Sequence, residues 1–576
     1  MRDDWLAQRW PALASACAQE SVAGVTYAFA LYSNALRERL GLSQQRLDLV
    51  ATAENTSGIL VPVIGLVMYL CGPRPTLCLA FVVGLVAWLG MWAAIAQHSW
   101  DAPFFLICLC ALCQGVCASL LDLSAVACTT ANFPERRGQA VGIVKAFVGL
   151  SAALCSSAYT AFFEPDVVTF ILFIGLETGA ACIVGALLLT QPSRGEAAMA
   201  AEHTPALLDG PIASHASRKL TVASSGIMLL VAGLVGGSLV APFAPDAFTT
   251  ANAIGVYALF LAGLLYLGHT AGLPTAAIEK LTQKQLADGD DDRGRSTPHS
   301  SPDAAAPDAA AAPAASLRDV LTPSAIRRLL LLFVAATLCL GPGLMLINNL
   351  ASLRAARTGN VHADASVFVS LFSASNCAGR VISGVGSDVA LARYGLSRAH
   401  AVAVATSTFG FALLLLTIPP TLPPTFLATA LPPNLLTTAL PVSGSGHGSS
   451  ADGDTSAADV PMLLACLLGG FAYGGYNCLF PVCLSQLFAV ELLPALYPLI
   501  FGPAFGIGSL LLSTYVYGAN YDAASERHGI DQSMEACRFA DCYMPAIVTA
   551  ALSSAVASLL FVVLGRTSHG RGVGLM

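Results

Sequence analysis

Apolar residues gather in long blocks along this chain, and shorter polar stretches separate the blocks. A helix of about 20 apolar residues crosses the hydrocarbon core of a bilayer, and long runs without alternation do not suit the strands of a transmembrane barrel. The pattern therefore predicts fourteen membrane-spanning helices. They lie near residues 11–33, 47–70, 75–96, 104–130, 139–162, 167–190, 219–242, 247–271, 325–350, 366–387, 396–418, 460–486, 495–518 and 543–565.

Two long polar stretches interrupt this pattern. Residues 272–322 are rich in Pro, Ala and Asp, a composition that buries too little apolar surface to fold. We expect a disordered cytoplasmic linker there. Residues 419–459 begin with prolines and continue into "SGSGHGSSADGDTS", which predicts a flexible loop.

The composition also indicates an integral, multi-pass membrane protein. Hydrophobic residues make up 55% of the chain, charged residues 11%, and the mean hydropathy is +0.69, whereas a soluble chain carries about 25% charged residues. The expected partners are the lipid bilayer and a small solute, and the net charge of -7 gives no reason to expect nucleic acid. Most Lys and Arg outside the spans fall on the cytoplasmic side if the N-terminus is cytoplasmic, so both termini are predicted there.

Most of the 17 cysteines lie in or beside apolar runs, where cysteine packs as a small apolar side chain. Four of them within residues 108–117 have partly helical spacing, but no histidine or acid lies near, so neither a metal nor a cofactor is expected. Cys537 and Cys542 lie instead in the polar stretch "ACRFADCY". A disulfide between them is expected if that loop faces an oxidising compartment.

The sequence before the linker is echoed after it. "GLVMYLCGPR" begins at Gly65 and "GVGSDVALARYG" begins at Gly384, each at the second span of its half. "FPERRG" begins at Phe133 and "FAVELLPALYP" begins at Phe488, each after the fourth span of its half. Two related halves are typical of secondary transporters.

Several stretches together resemble the nodulin-like branch of the major facilitator superfamily. They are "AGVTYAFALYS", "NFPERRG", "GIVKAFVGLS", "GLMLINNL", "SASNCAGRVISGVGSD", "GGFAYGGYNCLFPVCLSQLF" and "CRFADCY". The resemblance implies an all-α major facilitator fold: two six-helix bundles around a central cavity, with an inserted helix pair and a monomeric state. The expected domains are an N-terminal bundle at 1–190, a linker and inserted pair at 191–271, the disordered linker at 272–322 and a C-terminal bundle at 323–576.

The chain departs from the facilitator loop pattern Gly-x-x-x-Asp-Arg-x-Gly-Arg. Tyr69 stands where the first-half acid is expected, whereas the second-half copy keeps Gly384 and Asp388 but lacks the following arginine. The resemblance therefore implies a gating role for Asp388. A first-half latch would have to use Tyr69 or another partner.

Charged side chains within the predicted spans are few. Each costs about 2.5–3.5 kcal/mol near the bilayer centre, so each should face protein or water. They are Glu20, Glu54, Asp122, Lys145, Glu177 and Arg380.

Arg380 is the strongest candidate for contact with a substrate. It shares a helical face with Ser373, Asn376 and Gly384, and a guanidinium binds a carboxylate through two hydrogen bonds. Arg380 also resembles an arginine of monocarboxylate transporters. Those carry an aspartate where this chain has Asn376, so proton coupling through that pair is not implied. The alternative is a structural arginine that ties helices together.

Lys145 and Glu20 are candidates for gating or proton coupling. Lys145 lies on a face of small residues, and Asp122 could neutralise it, either as a structural pair or as a cation site or proton relay. Burial favours the protonated form of a carboxyl, so Glu20 could carry a proton, with a hydrogen-bonded helix contact as the alternative. Tyr27, on the same span as Glu20, is a candidate for substrate contact.

Two further stretches offer polar side chains to a cavity. In "LCLGPGLMLINNL", residues 341–343 precede Asn348 and Asn349, which predicts an interrupted helix of the kind that builds transporter sites. "GGFAYGGYN" adds a hydrogen-bonding wall, formed by Tyr473, Tyr476 and Asn477. The alternative for both stretches is flexible packing without substrate contact.

These patterns predict a secondary transporter that moves a small anionic, monocarboxylate-like solute by alternating access, with protons as the candidate coupling ion. The alternatives are another small solute, such as an amino acid or a metal chelate, or a membrane sensor that transports nothing. No enzyme is expected, because the sequence has no Walker-type Gly-Lys-Ser or Gly-Lys-Thr, no His-Glu-x-x-His and no Gly-x-Ser-x-Gly.

Overall fold

The computed structural model describes residues 5–25, 32, 50, 53–54, 56–96, 104–163, 166–191, 211–240, 246–269, 320–358, 366–419, 459–530 and 537–569. Every regular element among these residues is a helix. Most of the two polar stretches lies outside this part of the chain, so the linker, the flexible loop and the domain boundaries stay predictions.

The described residues ahead of residue 272 form eight main helices. They are α1 (Trp5–Ala23), α2 (Val61–Cys71), α3 (Pro73–Ala96), α4 (Phe104–Asn132), α5 (Arg137–Ala158), α6 (Val167–Leu188), α7 (Pro211–Val240) and α8 (Asp246–Gly268). α5 continues into a π-helical turn at Tyr159–Phe163.

The described residues after residue 322 form eight more. They are α9 (Pro323–Asn348), α10 (Leu350–Thr358), α11 (Ser366–Tyr394), α12 (Arg398–Leu415), α13 (Val460–Leu487), α14 (Leu493–Gly508), α15 (Ala519–Arg527) and α16 (Met544–His569). A π-helical segment, Ser509–Gly518, joins α14 to α15. Pro498 and Pro503 lie inside α14, where each removes a backbone donor.

The helices pack as two bundles with an added pair. In the first half, α1 contacts α4, α5 and α6, and α3 contacts α4 and α6; α7 and α8 pack on each other and against α5 and α1. In the second half, α11 contacts α13, α12 contacts α13 and α16, and α9 contacts α14 and α16. The halves meet chiefly where α5 packs on α11 and α2 packs on α14. The predicted all-α fold is confirmed.

Glycines allow the two halves to approach at backbone distance. A Cβ atom at Gly142 of α5 would lie 2.7 Å from the Arg380 carbonyl oxygen of α11, and one at Gly138 would lie 2.5 Å from the Gly384 carbonyl oxygen. In the other contact, a Cβ at Gly65 of α2 would lie 2.7 Å from the Pro494 carbonyl oxygen. Small residues at such crossings let helix backbones touch.

Nine helices in the described part of the chain are long and apolar enough to cross a membrane, which agrees with an integral multi-pass protein. The helices at the other five predicted spans are not among these nine. These spans stay predictions.

The predicted interruption at residues 341–343 is wrong. α9 is one helix from Pro323 to Asn348, with Pro342 inside it. The chain leaves the helix only at Asn349, where φ is -112° and ψ is 14°. A transmembrane helix tolerates proline where neighbouring helices and local adjustment satisfy the freed backbone groups.

Candidate functional site

A cavity of about 180 Å³ lies where α1, α4 and α5 of the first half face α11, α13 and α14 of the second. It brings together five of the predicted site residues, one from each of five helices: Glu20, Asp122, Lys145, Arg380 and Asn477. Glu54, a weaker candidate, also lines it, whereas Glu177 does not. The polar walls of the cavity therefore come from both halves of the chain.

Lys145 is the centre of a buried charged cluster. Its ammonium donates a hydrogen bond to the Asp122 carboxylate and lies 3.7 Å from a Glu20 carboxylate oxygen. The Tyr497 hydroxyl donates to the other Asp122 oxygen at 3.2 Å, and its ring centre lies 5.8 Å from Lys145 Nζ. One ammonium thus serves two carboxyls, and a tyrosine from the second half covers it.

Glu20 is the less satisfied of the two carboxyls. Its side chain is fully buried, and neither of its oxygens accepts a hydrogen bond from any of the residues that the structure describes. A buried carboxylate without donors is costly unless it is protonated or paired. This is the environment in which a carboxyl can take up and release a proton.

Arg380 lines the same cavity from α11. Its Nε donates to the Asn376 side-chain oxygen at 2.9 Å, and its Nη1 donates to the Lys145 main-chain oxygen at 2.6 Å. No carboxylate among the described residues lies within 4.0 Å of it. Arg380 therefore ties α11 to α5, as the structural interpretation proposed, and also presents a cation at the cavity wall.

Three aromatic side chains of α14 form an aromatic wall of the cavity: Tyr497, Phe501 and Phe505. Their ring centres are 5.1 and 6.1 Å apart in sequence order, because residues four apart stack along one helix face. Phe480 of α13 contacts Phe501 at 5.6 Å. The sequence interpretation did not include this wall, although the spacing of four residues could have indicated it.

Asn348 and Asn349 lie away from this cavity. Both donate to the Ser513 hydroxyl, at 3.4 and 2.9 Å, and hold the end of α9 against the π-helical segment after α14. Asn376 reaches the cavity only through Arg380. The substrate contacts predicted for these three asparagines stay predictions, and the structure gives Asn348 and Asn349 a packing role.

Two of the three residues in the predicted hydrogen-bonding wall are core residues. Tyr473 and Tyr476 are 2% and 1% exposed, with ring centres 5.3 Å apart, and pack within the second bundle. Asn477 does line the cavity, and its side chain donates to the Tyr473 carbonyl at 2.8 Å. Tyr27 lies outside the described residues.

Asp388 joins the halves at the end of α11. Its two oxygens accept hydrogen bonds from the backbone N–H groups of Gly138 and Gln139, at 3.0 and 2.8 Å, and one of them lies 2.9 Å from Arg398. A carboxylate is favoured at the first turn of a helix such as α5. Neither α2 nor α14 contains a charged residue, and Gly65 packs on prolines of α14 in the contact between them.

Residues 9–207 match the family model described as Nodulin-like. The resemblance seen in the sequence is confirmed there. Protein NUCLEAR FUSION DEFECTIVE 4 of Arabidopsis thaliana is 27% identical over 154 residues, which are 27% of this chain and 26% of that protein. The match thus spans about a quarter of the length of that curated relative.

Solved structures of major facilitator transporters align over nearly the whole chain at 12% identity. The proton:xylose symporter XylE has a TM-score of 0.46, over 97% of this chain and 95% of that one. The E. coli fucose:proton symporter FucP has a TM-score of 0.44, over 96% and 98%. The POT family transporter PepTSo has a TM-score of 0.47, over 98% of each chain.

The region that matches the Nodulin-like model holds one charged part of the cavity lining. Glu20, Asp122 and Lys145 lie within residues 9–207, whereas Arg380 and the aromatic wall lie outside that range. The same region contains a buried ion pair that fixes α1 to the loop before α5. Arg9 lies 2.6 Å from Glu135 of "FPERRG", and both side chains are almost fully buried.

A disulfide joins Cys537 to Cys542, as the polar stretch predicted. Asn520 of α15 donates to the Asp541 and Cys542 carbonyls, at 2.9 and 2.8 Å, and thereby docks the loop. The described residues contain no group of three metal-ligating side chains close enough to hold an ion.

Proposed function

We propose that the protein is a secondary transporter that moves a small anionic organic solute through this cavity by alternating access. The observation that carries the proposal is a charged cavity whose walls come from both halves of the chain. An alternating-access site lies between two bundles in this way, so that rocking one bundle on the other exposes it to either side. The nodulin-like match and the membrane-spanning helices support the same function.

Arg380 binds the anion. It is a buried cation at the cavity wall without a carboxylate partner among the described residues, and a carboxylate of the solute supplies that partner. The hydrogen bond from Arg380 to the Lys145 main chain links the bound anion to α5. Binding is thereby connected to the interface between the halves.

Glu20, Asp122 and Lys145 carry the coupling proton. Two carboxyls share one ammonium, so the cluster is neutral when one of them is protonated and carries a net negative charge when neither is. A proton that enters with the anion compensates its charge in the low-dielectric cavity. Asp388 gates the end where α11 meets the first turn of α5.

The test is transport in proteoliposomes that contain the purified full chain. Carboxylate uptake is expected to rise with an inward proton gradient and to fall at least tenfold in Arg380→Gln. Arg393→Gln is the matched control, because Arg393 is exposed at the end of the same helix. Carboxylate binding without net flux would favour the alternative of a membrane sensor that transports nothing. Uptake of amino acids but not of other carboxylates would show that the solute is a zwitterion rather than an anion.

A further inference from the structure

One side of the cavity is charged and the other is aromatic, and Tyr497 lies between the two. Its hydroxyl bonds Asp122 beside Lys145, while its ring begins the aromatic wall that continues through Phe501 and Phe505. The charged cluster and the aromatic wall are therefore adjacent surfaces of one cavity. A ligand that fits both has a charged end and an apolar end.

The aromatic wall presents ring faces and edges rather than aliphatic groups. Tyr497 and Phe501 are tilted by 34°, and Phe501 and Phe505 by 30°, so successive rings overlap along the helix. Aromatic rings interact best with other aromatic rings in offset-stacked or edge-to-face arrangements. A flat ring of the ligand gains this interaction, which a saturated ring of similar size does not.

Resting on the transport function proposed above, we propose that the solute is an aryl carboxylate: its carboxylate binds Arg380 and its aromatic ring packs on Phe501 and Phe505. A polyol would turn hydroxyl groups toward these phenyl rings without hydrogen-bond partners, which is unfavourable. A carboxylate of two or three carbons would bind Arg380 and leave the aromatic wall without a contact.

The test measures binding of three carboxylates to the purified full chain by titration in detergent. The probes are 3-phenylpropionate, 3-cyclohexylpropionate and propionate, which share the carboxylate and differ in the apolar end. 3-Phenylpropionate is expected to bind about 2- to 12-fold more tightly than the cyclohexyl compound, the range that aromatic pairing supplies. Propionate is expected to bind more weakly than either.

Two variants assign this preference to the aromatic wall. Phe501→Leu and Phe505→Leu keep an apolar side chain but remove the ring, so the phenyl and cyclohexyl compounds should bind them equally. The matched control is Phe411→Leu, because Phe411 is exposed on α12 and is not part of the cavity. It should keep the wild-type preference.

The outcomes separate this inference from the transport function. If propionate binding depends on Arg380 but the phenyl compound binds no better than the cyclohexyl one, the aryl specificity is wrong and the anion site stands. If the preference survives in both wall variants, the ring binds elsewhere and the inference is overturned. If no carboxylate binds the wild type, the anion-transport function fails as well.

Discussion

Asp388 accepts a hydrogen bond from the Gly138 backbone N–H at 3.0 Å, across the interface between the two halves of the chain. The Gln139 N–H and the Arg398 guanidinium bind the same carboxylate. Separation of α5 from α11 at this end must break the hydrogen bonds to α5.

Asp388→Asn should therefore weaken the contact between α5 and α11. The amide keeps one acceptor oxygen but loses the charge that favours the N-terminus of α5 and pairs with Arg398, at a cost of about 1.5–3 kcal/mol. Hydrogen exchange should become faster at the first turn of α5. Glu526→Gln, an exposed acid-to-amide change on α15, is the control, and equal exchange in both variants would rule out the gating role.

Gly142→Ala should weaken the same contact between α5 and α11 by a steric clash. The added Cβ would lie 2.7 Å from the Arg380 carbonyl oxygen, and such overpacking costs about 1–3 kcal/mol. A lower unfolding temperature and reduced uptake are expected. Gly226→Ala provides the contrast, because a Cβ there meets nothing within 4 Å and alanine favours the helix. If Gly142→Ala left the unfolding temperature and the uptake unchanged, α5 and α11 would not approach each other so closely.

Glu20→Gln and Asp122→Asn should abolish proton-driven uptake but leave solute exchange at equal pH. Neither amide takes up a proton, whereas exchange of bound for unbound solute needs none. Asp122→Asn should lose more stability, about 3–5 kcal/mol, because it breaks the buried pair with Lys145. Uptake with and without a pH gradient measures the effect, and Glu177→Gln, outside the cavity, should behave as wild type.

Removal of the disulfide by Cys537→Ser with Cys542→Ser should lower the free energy of unfolding by about 2 kcal/mol, the loss expected for a short closed loop. Thermal unfolding with and without reductant measures this. Cys71→Ser with Cys78→Ser changes two exposed free cysteines and should have no such effect. Insensitivity of the wild type to reductant would show that the bond is not formed.

The sequence was sufficient to predict the all-α fold and most of the charged residues that line the cavity. Charged residues in apolar spans must face protein or water. That rule named six residues, and all of them except Glu177 line the cavity. Which helices bring them together was not accessible, because one span gives no information about its neighbours. The contact of Tyr497 with Asp122 joins residues from different halves.

The errors have physical causes. Residues 341–343 suggested a break because glycine and proline are weak helix formers in water, but α9 remains continuous in its packed surroundings. Tyr473 and Tyr476 resembled a cavity wall, since a tyrosine that lines a cavity and one that packs in a core have the same sequence pattern. The aromatic wall was missed because phenylalanines in a span also suit contact with lipid.

Arg380 Nη1 donates a hydrogen bond to the Lys145 carbonyl, so this carbonyl competes with an anion for the same nitrogen. An anion that engages this nitrogen must share it with the backbone of α5 or displace that backbone. Binding is then an exchange of one acceptor for another. If the anion displaces that backbone, the contact between α5 and α11 and the binding of the anion weaken each other by the same factor, by thermodynamic reciprocity.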